Sequence, residues 1–257
     1  MKYLKSILAA VLLGGLLLGC TPAEDTMTVT FPKIGKADCG ILVQGGQVMV
    51  IDCGEAENSR EILQTLKGLG VTKIDYLVIT HFDKDHVGGA ADILNALPVS
   101  RVLEPDYTPE NPQSESVAAY RRALTDTEVP VRQVADSEAF PLGTASVTVT
   151  GANGKIYDKN ADNNNSLLVS VTHAGNRLLF AGDIEKQRIR DLLENGAEQY
   201  DFLKVPHHGA YNNALPDFFR AVRMRYAVIT CSEKNPADPE TLSALAALDA
   251  KTCLTAD

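Results

Sequence analysis

The sequence predicts a layered α/β/β/α sandwich, and three observations carry that expectation. From about residue 28 the chain reads as strands first and then as strands alternating with helices. Its His and Asp residues gather where apolar strand patterns stop, as at Thr80-His81 and Ala181-Gly182-Asp183. No internal repeat or low-complexity tract breaks the pattern, and 257 residues suffice for one sizeable domain after a leader.

The leader is read from the first twenty residues. Lys2 and Lys5 precede an apolar run, Ile7 to Leu18, interrupted only by Gly14 and Gly15 and too short to span a bilayer comfortably. Leu17-Leu18-Gly19-Cys20 resembles the bacterial lipobox, so Cys20 is the expected lipidation site. The expected organisation is a signal peptide over 1–19, a lipidated N-terminus and tether over 20–27, and one domain over 28–257. The protein would be exported and lipid-anchored to the bacterial membrane or envelope, with no other membrane contact.

The hairpin Ile41–Val43 and Val48–Ile51 turns at Gly45-Gly46. Centring that turn sets Cys39 opposite Asp52 and diagonal to Cys53. Residues 58–69 form the clearest helix, with Asn58 or Ser59 as N-cap and Ile62, Leu63, Leu66 and Leu69 on one stripe. Tyr76 to Thr80 is a buried strand, and Gly88-Gly89 open a helix that runs through Leu97 to Pro98. Arg101–Leu103 is a strand, Ser114–Leu124 a helix and Ser146–Thr150 a strand. Residues 151–165 fit neither pattern and read as a polar loop. Ser166–Thr172 and Leu178–Ala181 form a hairpin, placing His173 on an exposed turn. A helix from Ile184, a strand Phe202–Val205, a helix near Leu215–Val222 and a strand Tyr226–Thr230 follow. A helix Pro239–Leu248 and a strand Thr252–Leu254 close the chain.

Composition narrows the function classes. The formal charge is −9, and −11 without Lys2 and Lys5, which disfavours a phosphate backbone as a general partner. Nucleic acid stays open as a substrate on these grounds but is not favoured. Cys39, Cys53, Cys231 and Cys253 lack the CxxC pairing of a structural zinc site, and export would permit disulfides without requiring them. There is no GxSxG elbow, P-loop or dinucleotide fingerprint.

His81-Phe82-Asp83-Lys84-Asp85-His86 is the strongest chemical signal. Four metal-ligand side chains fall within six residues, where a strand stops and a helix begins. Imidazole and carboxylate together suit zinc, manganese or iron. The motif Thr80-His81-x-Asp83-x-Asp85-His86-x-Gly88-Gly89 resembles the signature of the metallo-β-lactamase superfamily, with aspartate at the position usually held by the second histidine. That substitution is similar to the ComEC-like, competence-protein branch. Asp52 with Gly54, Asn163-Asn164-Asn165-Ser166, Leu179-Phe180-Ala181-Gly182-Asp183 and Lys204-Val205-Pro206-His207-His208-Gly209 extend the resemblance from about residue 28 to the end.

The resemblance implies the αββα fold and two adjacent divalent-metal positions, zinc being the first choice. Asp85, His86, a bridging Asp183 and one of His207 or His208 would hold the first. His81, Asp83 and Asp183 would hold the second. Relatives usually add a histidine from the segment occupied here by Asn163–Ser166, so the second position should be oxygen-rich, weaker, and open to manganese or magnesium. Asn165 and Ser166 are expected on the substrate side. Asp238 is either a polar group facing substrate or the N-cap of the last helix, the latter weighing more. Asp85 would orient or deprotonate a metal-activated water, making the chain a metal-dependent hydrolase. A phosphodiesterase on an envelope polymer or nucleic acid is the leading function. The competing expectation is a non-catalytic accessory lipoprotein with a degenerate metal site.

Overall fold

The computed structural model describes residues 26–256, so the apolar leader, Cys20 and most of the tether lie outside the described residues. The first half of the chain builds one sheet. Strands β1 (Thr28–Thr30), β2 (Gly40–Gln44), β3 (Gln47–Ile51), β4 (Tyr76–Val78), β5 (Val102–Pro105) and β6 (Val131–Val134) lie side by side in that order. The β2–β3 hairpin closes through Gly45 and Gly46 at φ +57° and +78°, the left-handed pair that a two-residue turn requires. From β3 onward the pairing is parallel. Helices α1 (Ser59–Gly68), α2 (Lys84–Val87), α3 (Ala90–Ala96) and α4 (Glu115–Thr127) provide the crossovers.

The second half repeats the plan. Strands β7 (Ser137–Leu142), β8 (Ala145–Thr150), β9 (Leu168–His173) and β10 (Asn176–Phe180) are antiparallel. Strands β11 (Phe202–Lys204), β12 (Tyr226–Ile229) and β13 (Lys251–Leu254) add in parallel. Helices α5 (Ala161–Asn164), α6 (Lys186–Glu194), α7 (Leu215–Val222) and α8 (Pro239–Ala246) complete this half.

Strand alternation sorts the apolar residues into three buried layers. Ile41, Val50, Leu77 and Ile79 pack toward Ile62, Leu66 and Ile93 of the first helical layer. Leu203, Ala227 and Ile229 pack toward Ile189, Phe218 and Phe219 of the second. Between the sheets, Leu42, Met49, Val78 and Leu103 meet Val147, Val169, Val171 and Phe180. The result is the four-layer αββα sandwich expected.

Local departures have physical causes. β6 and β7 escape the sequence pattern because they are half-solvated edge strands, and β7 carries Pro141. Asn58 does not cap α1 with its side chain. A short 3₁₀ turn, Ala56–Asn58, precedes the helix, and Asn58 Oδ1 accepts from Glu55 N at 2.9 Å instead. The helix expected from Gly88 through Leu97 forms as α3, preceded by the extra turn α2; between them Gly89 is pressed against the Cys53 carbonyl, where a Cβ would collide. His173 is not an exposed turn residue. It ends β9, is buried, and its Nε2 lies 3.3 Å from Nε2 of buried Gln44. The β2–β3 and β7–β8 turns close over that hairpin end through Gln44 and Thr144.

Cys39, Cys53 and Cys231 are buried free thiols and Cys253 is an exposed one. Burial, reinforced by neighbouring acidic groups, raises the Cys39 and Cys53 thiols, which keeps them protonated.

Candidate metal centre

Five parallel or co-directed strands, β3 and β4 from one sheet and β10, β11 and β12 from the other, end at the same edge of the sandwich. Each delivers a polar residue just past its last apolar one: Asp52, Thr80-His81, Asp183, His207-His208 and Thr230. This is where open α/β sheets place their ligands.

Asp52 leaves β3 with φ +61°, a left-handed turn that aspartate tolerates better than most residues. Its carboxylate accepts from Thr80 N and Thr80 Oγ1, each at 2.7 Å, and from His86 Nδ1 at 2.8 Å. With its proton committed to Asp52, Thr80 Oγ1 accepts from His81 Nδ1 at 3.1 Å. His208 Nδ1 donates to the Thr230 carbonyl at 3.1 Å. All three imidazoles therefore carry their proton on Nδ1 when neutral and present a bare Nε2.

Those three Nε2 atoms are buried and have no hydrogen-bond partner. They face a shared centre. His86 Nε2 and His208 Nε2 each lie 3.2 Å from Asp183 Oδ2, and His208 Nε2 lies 3.4 Å from Asp85 Oδ2. His81 Nε2 is 3.7 Å from Asp83 Oδ2. Two overlapping groups have the spacing to hold a cation: His81, His86 and Asp183, and Asp85, His86 and His208. A third set, Asp38, Asp52 and His86, lies on the Nδ1 side and serves to orient the ring.

The electrostatics point the same way. Asp38, Asp183 and Asp52 lie around one buried ammonium, Lys204, whose Nζ contacts Asp38, the Gly182 carbonyl at 3.2 Å and Asp183 Oδ1 at 3.5 Å. Burial alone would lower the Lys204 pKa, but Asp38 and Asp183 outweigh it and raise it. Burial also opposes ionisation of Asp85 and Asp183, yet His208, His86 and, for Asp183, Lys204 hold both low. A set of bare imidazole nitrogens among surplus carboxylates fits a divalent cation.

In metal-free protein a proton takes that place. Burial disfavours imidazolium, but Asp183 and Asp38 push His208 up to about 9, and Asp183, Asp52 and Asp38 raise His86 well above its ordinary value. A raised folded-state pKa contributes stability that is complete below about 6.5 and lost as pH rises through the folded value. The rise of His208 from 6.5 to about 9 corresponds by itself to about 3 kcal/mol, since each tenfold gain in proton affinity is worth ~1.36 kcal/mol. Chelator-treated protein should thus have a lower urea midpoint at about pH 9 than at about pH 6. Metal affinity should rise over the same interval as the competing protons leave. A metal-free midpoint that holds or climbs would contradict this assignment.

The geometry separates the two adjacent histidines. His207, His208 and Gly209 all have positive φ, +49°, +53° and +79°. This strained turn sends His208 inward and leaves His207 at the rim, 3.5 Å from Glu185 Oε1. Expected metal contact at His207 therefore gives way to His208. Burial lowers the His207 pKa.

The Asn163–Ser166 segment works as a clasp. Asn163 Nδ2 donates to Glu185 at 2.8 Å, and Asn164 Oδ1 accepts from Glu185 N and Arg188 N at the start of α6. Asn165 Nδ2 donates to the Ala161 carbonyl. Ser166 is fully buried and accepts from Asp183 N at 3.2 Å, so it positions the aspartate. Gly182 fits above it only without a Cβ. Asp238 stands at the N-cap position of α8, but its carboxylate accepts from Tyr211 N at 2.7 Å and makes no helix cap.

Asp38, Thr230 and the charge role of Lys204 were missed by sequence reasoning. Asp38 sits in the β1–β2 loop, which docks on the motif through Asp38 N to the Asp85 carbonyl, and nothing in its local sequence marks it. Lys204 and Thr230 did carry a signal, as polar residues closing apolar strands.

The Metallo-beta-lactamase superfamily model matches residues 33–232. ComE operon protein 3 of Bacillus subtilis is 25% identical over 175 residues, 68% of this chain and 22% of that protein. Recombination protein 2 of Haemophilus influenzae is 24% identical over 219 residues, 83% of this chain and 25% of that protein. The chain thus spans about a quarter of the length of these curated relatives. Among solved structures, a metallo hydrolase from the archaeon Ignicoccus hospitalis superposes with a TM-score of 0.56 at 18% identity, covering 89% of this chain and 95% of that one. A variant of the β-hydroxylase CmlA gives 0.55 at 16% identity, covering 92% and 53%. Both likenesses are of fold.

Proposed function

The chain belongs to the metallo-beta-lactamase superfamily, a superfamily of generally metal-dependent hydrolases, and from that premise we propose that it hydrolyses phosphodiesters with divalent metal. One observation carries this reading: three buried, unpartnered Nε2 atoms set around Asp183. His86, His208, Asp85 and Asp183 would hold the first ion, and His81, Asp83 and Asp183 the second. Ions bound there would acidify water and polarise the phosphorus.

The chain's own residues do the rest. Asp52, Thr80 and Thr230 fix the three imidazoles, an effect worth roughly 10–100-fold in metal affinity in comparable sites. Ser166 holds the Asp183 backbone, and Lys204 keeps that carboxylate ionised. Asp85 is about one-fifth exposed, at 20%, so it reaches both the buried histidines and the open side of the site, where it can accept a proton. Asp83 is 45% exposed and stands 3.7 Å from His81 Nε2, so the second position, built on it, is the weaker one.

The substrate favoured is a phosphodiester of the cell envelope over nucleic acid, because the chain carries a formal charge of −9. Anchorage through acylated Cys20 would keep the enzyme beside such a polymer. Fatty-acid labelling of wild type but not of Cys20→Ser is the expected result, and unlabelled wild type would remove the anchor.

The function itself is tested by metal content and turnover together. Dialysed protein should retain about one tightly held zinc, with a weaker second position filled by added manganese. In that state it should hydrolyse bis(p-nitrophenyl) phosphate. Metal retention without turnover of this ester, an envelope-type phosphodiester or a nucleic acid would favour the accessory, non-catalytic reading. That alternative draws on the structural use of Asn163, Asn164 and Ser166.

A further inference from the structure

Beside the Asp83 edge of the metal centre is a cavity of about 280 Å³. Tyr107, on its wall, lies with its ring 5.4 Å from that of Phe82, the residue between His81 and Asp83. Asn165, on the same wall, directly precedes the Ser166 that holds Asp183. Residues 152–157 also line it, a loop whose sequence marks no element.

That loop is fastened from behind. Arg188 of α6, itself buried, donates to the Gly151 carbonyl and to Tyr157 Oη, the latter at 3.1 Å. Lys155 Nζ pairs with Asp191 at 2.9 Å, and Asn153 N bonds the Ala135 carbonyl at 2.7 Å. The wall is thus built by α6. At its rim Ile156 is 90% exposed, the most exposed large apolar side chain among the described residues.

We propose that this cavity is the subsite for the alcohol portion of the substrate, and that this portion is an uncharged, hydroxyl-rich ring. The proposal rests on the hydrolase reading for its place beside the reacting centre. Tyr107, Tyr157 and Ile156 supply flat or apolar surface for the C–H faces of such a ring. Asn153, Asn165 and the Asp106 carboxylate supply donors and acceptors for hydroxyls. A second phosphate does not fit this chemistry. The cationic side chain on the wall, Lys155, is already paired with Asp191, and Asp106 adds negative charge. The volume falls just under the roughly 300–1,000 Å³ usual for small-molecule sites, which suits one ring and not an oligomer.

Saturation-transfer NMR on the purified protein tests this with three probes: methyl β-glucoside, thymidine and choline. Methyl β-glucoside should receive saturation and the other two should not compete with it. Asp106→Ala and Ile156→Ser, both at exposed positions and checked for fold by circular dichroism, should weaken it. The Asp106 change should cost about tenfold in affinity, the loss expected when a hydrogen bond to a carboxylate disappears. No transfer to the glucoside, preference for thymidine or choline, or full transfer in both variants would each overturn the proposal. Turnover of bis(p-nitrophenyl) phosphate, measured separately, keeps the two readings apart. Turnover without glucoside contact removes the subsite alone, and glucoside contact without turnover leaves a site for such a ring but removes the hydrolase and the subsite's part in it.

Discussion

Asp183→Ala should empty both metal positions and lower turnover by at least about 10³-fold, the scale expected when the electrostatic stabilisation at a metal site is removed. The reason lies in its position. Asp183 Oδ2 is 3.2 Å from the Nε2 of both His86 and His208, and its other oxygen meets Lys204 Nζ at 3.5 Å. Removal would take a ligand from each proposed position and leave Asp38 as the carboxylate in contact with Lys204. Metal-free Asp183→Ala should also lose about 3 kcal/mol, at the low end for breaking a buried ion pair, because the remaining carboxylates still compensate the cations. Elemental analysis after dialysis, read beside urea unfolding, separates the effects. His173→Ala is the comparison: it removes a buried partner of Gln44 at the far end of the hairpin and should cost stability without changing metal content. Two metals retained in Asp183→Ala would mean that it does not bridge.

Asp85→Asn should lower kcat by about 10³-fold with KM nearly unchanged, within the ~10²–10⁴-fold range of a lost general base. Asparagine keeps the volume and a neutral oxygen where Asp85 Oδ2 lies 3.4 Å from His208 Nε2. His86, His208 and Asp183 remain, so the tightly held ion should stay in place. Inductively coupled plasma analysis alongside steady-state kinetics on bis(p-nitrophenyl) phosphate reads both quantities. Wild-type kcat in a metal-loaded variant would rule out Asp85 as the base. Metal loss in step with activity would make it a ligand only.

Much of the site was legible because its ligands are local. His81, Asp83, Asp85 and His86 lie within six residues, and a strand end followed by a helical turn forces them to one place. Asp183 and the histidine pair were visible as polar residues closing apolar strands. Asp38 was not, since its role comes from a loop that the fold brings against Thr230, His208 and Lys204 of the other half. β6 and β7 were missed because they are edge strands: β6 exposes three of its four residues, and β7 carries an exposed Pro141 that interrupts the strand signal.

Local pattern was enough to dictate the layer order, because alternating strands and amphipathic helices have few ways to bury their apolar faces. It was also enough to dictate which residue types would meet at the strand ends. The choice between His207 and His208 came from the folded backbone, through three consecutive left-handed residues that turn one ring inward and the other out. Folding likewise commits Ser166 to Asp183 and buries His173 against Gln44. It also makes the 151–165 loop a wall pinned by Arg188. These outcomes depend on backbone angles and on contacts between residues distant in the chain, which local pattern does not encode.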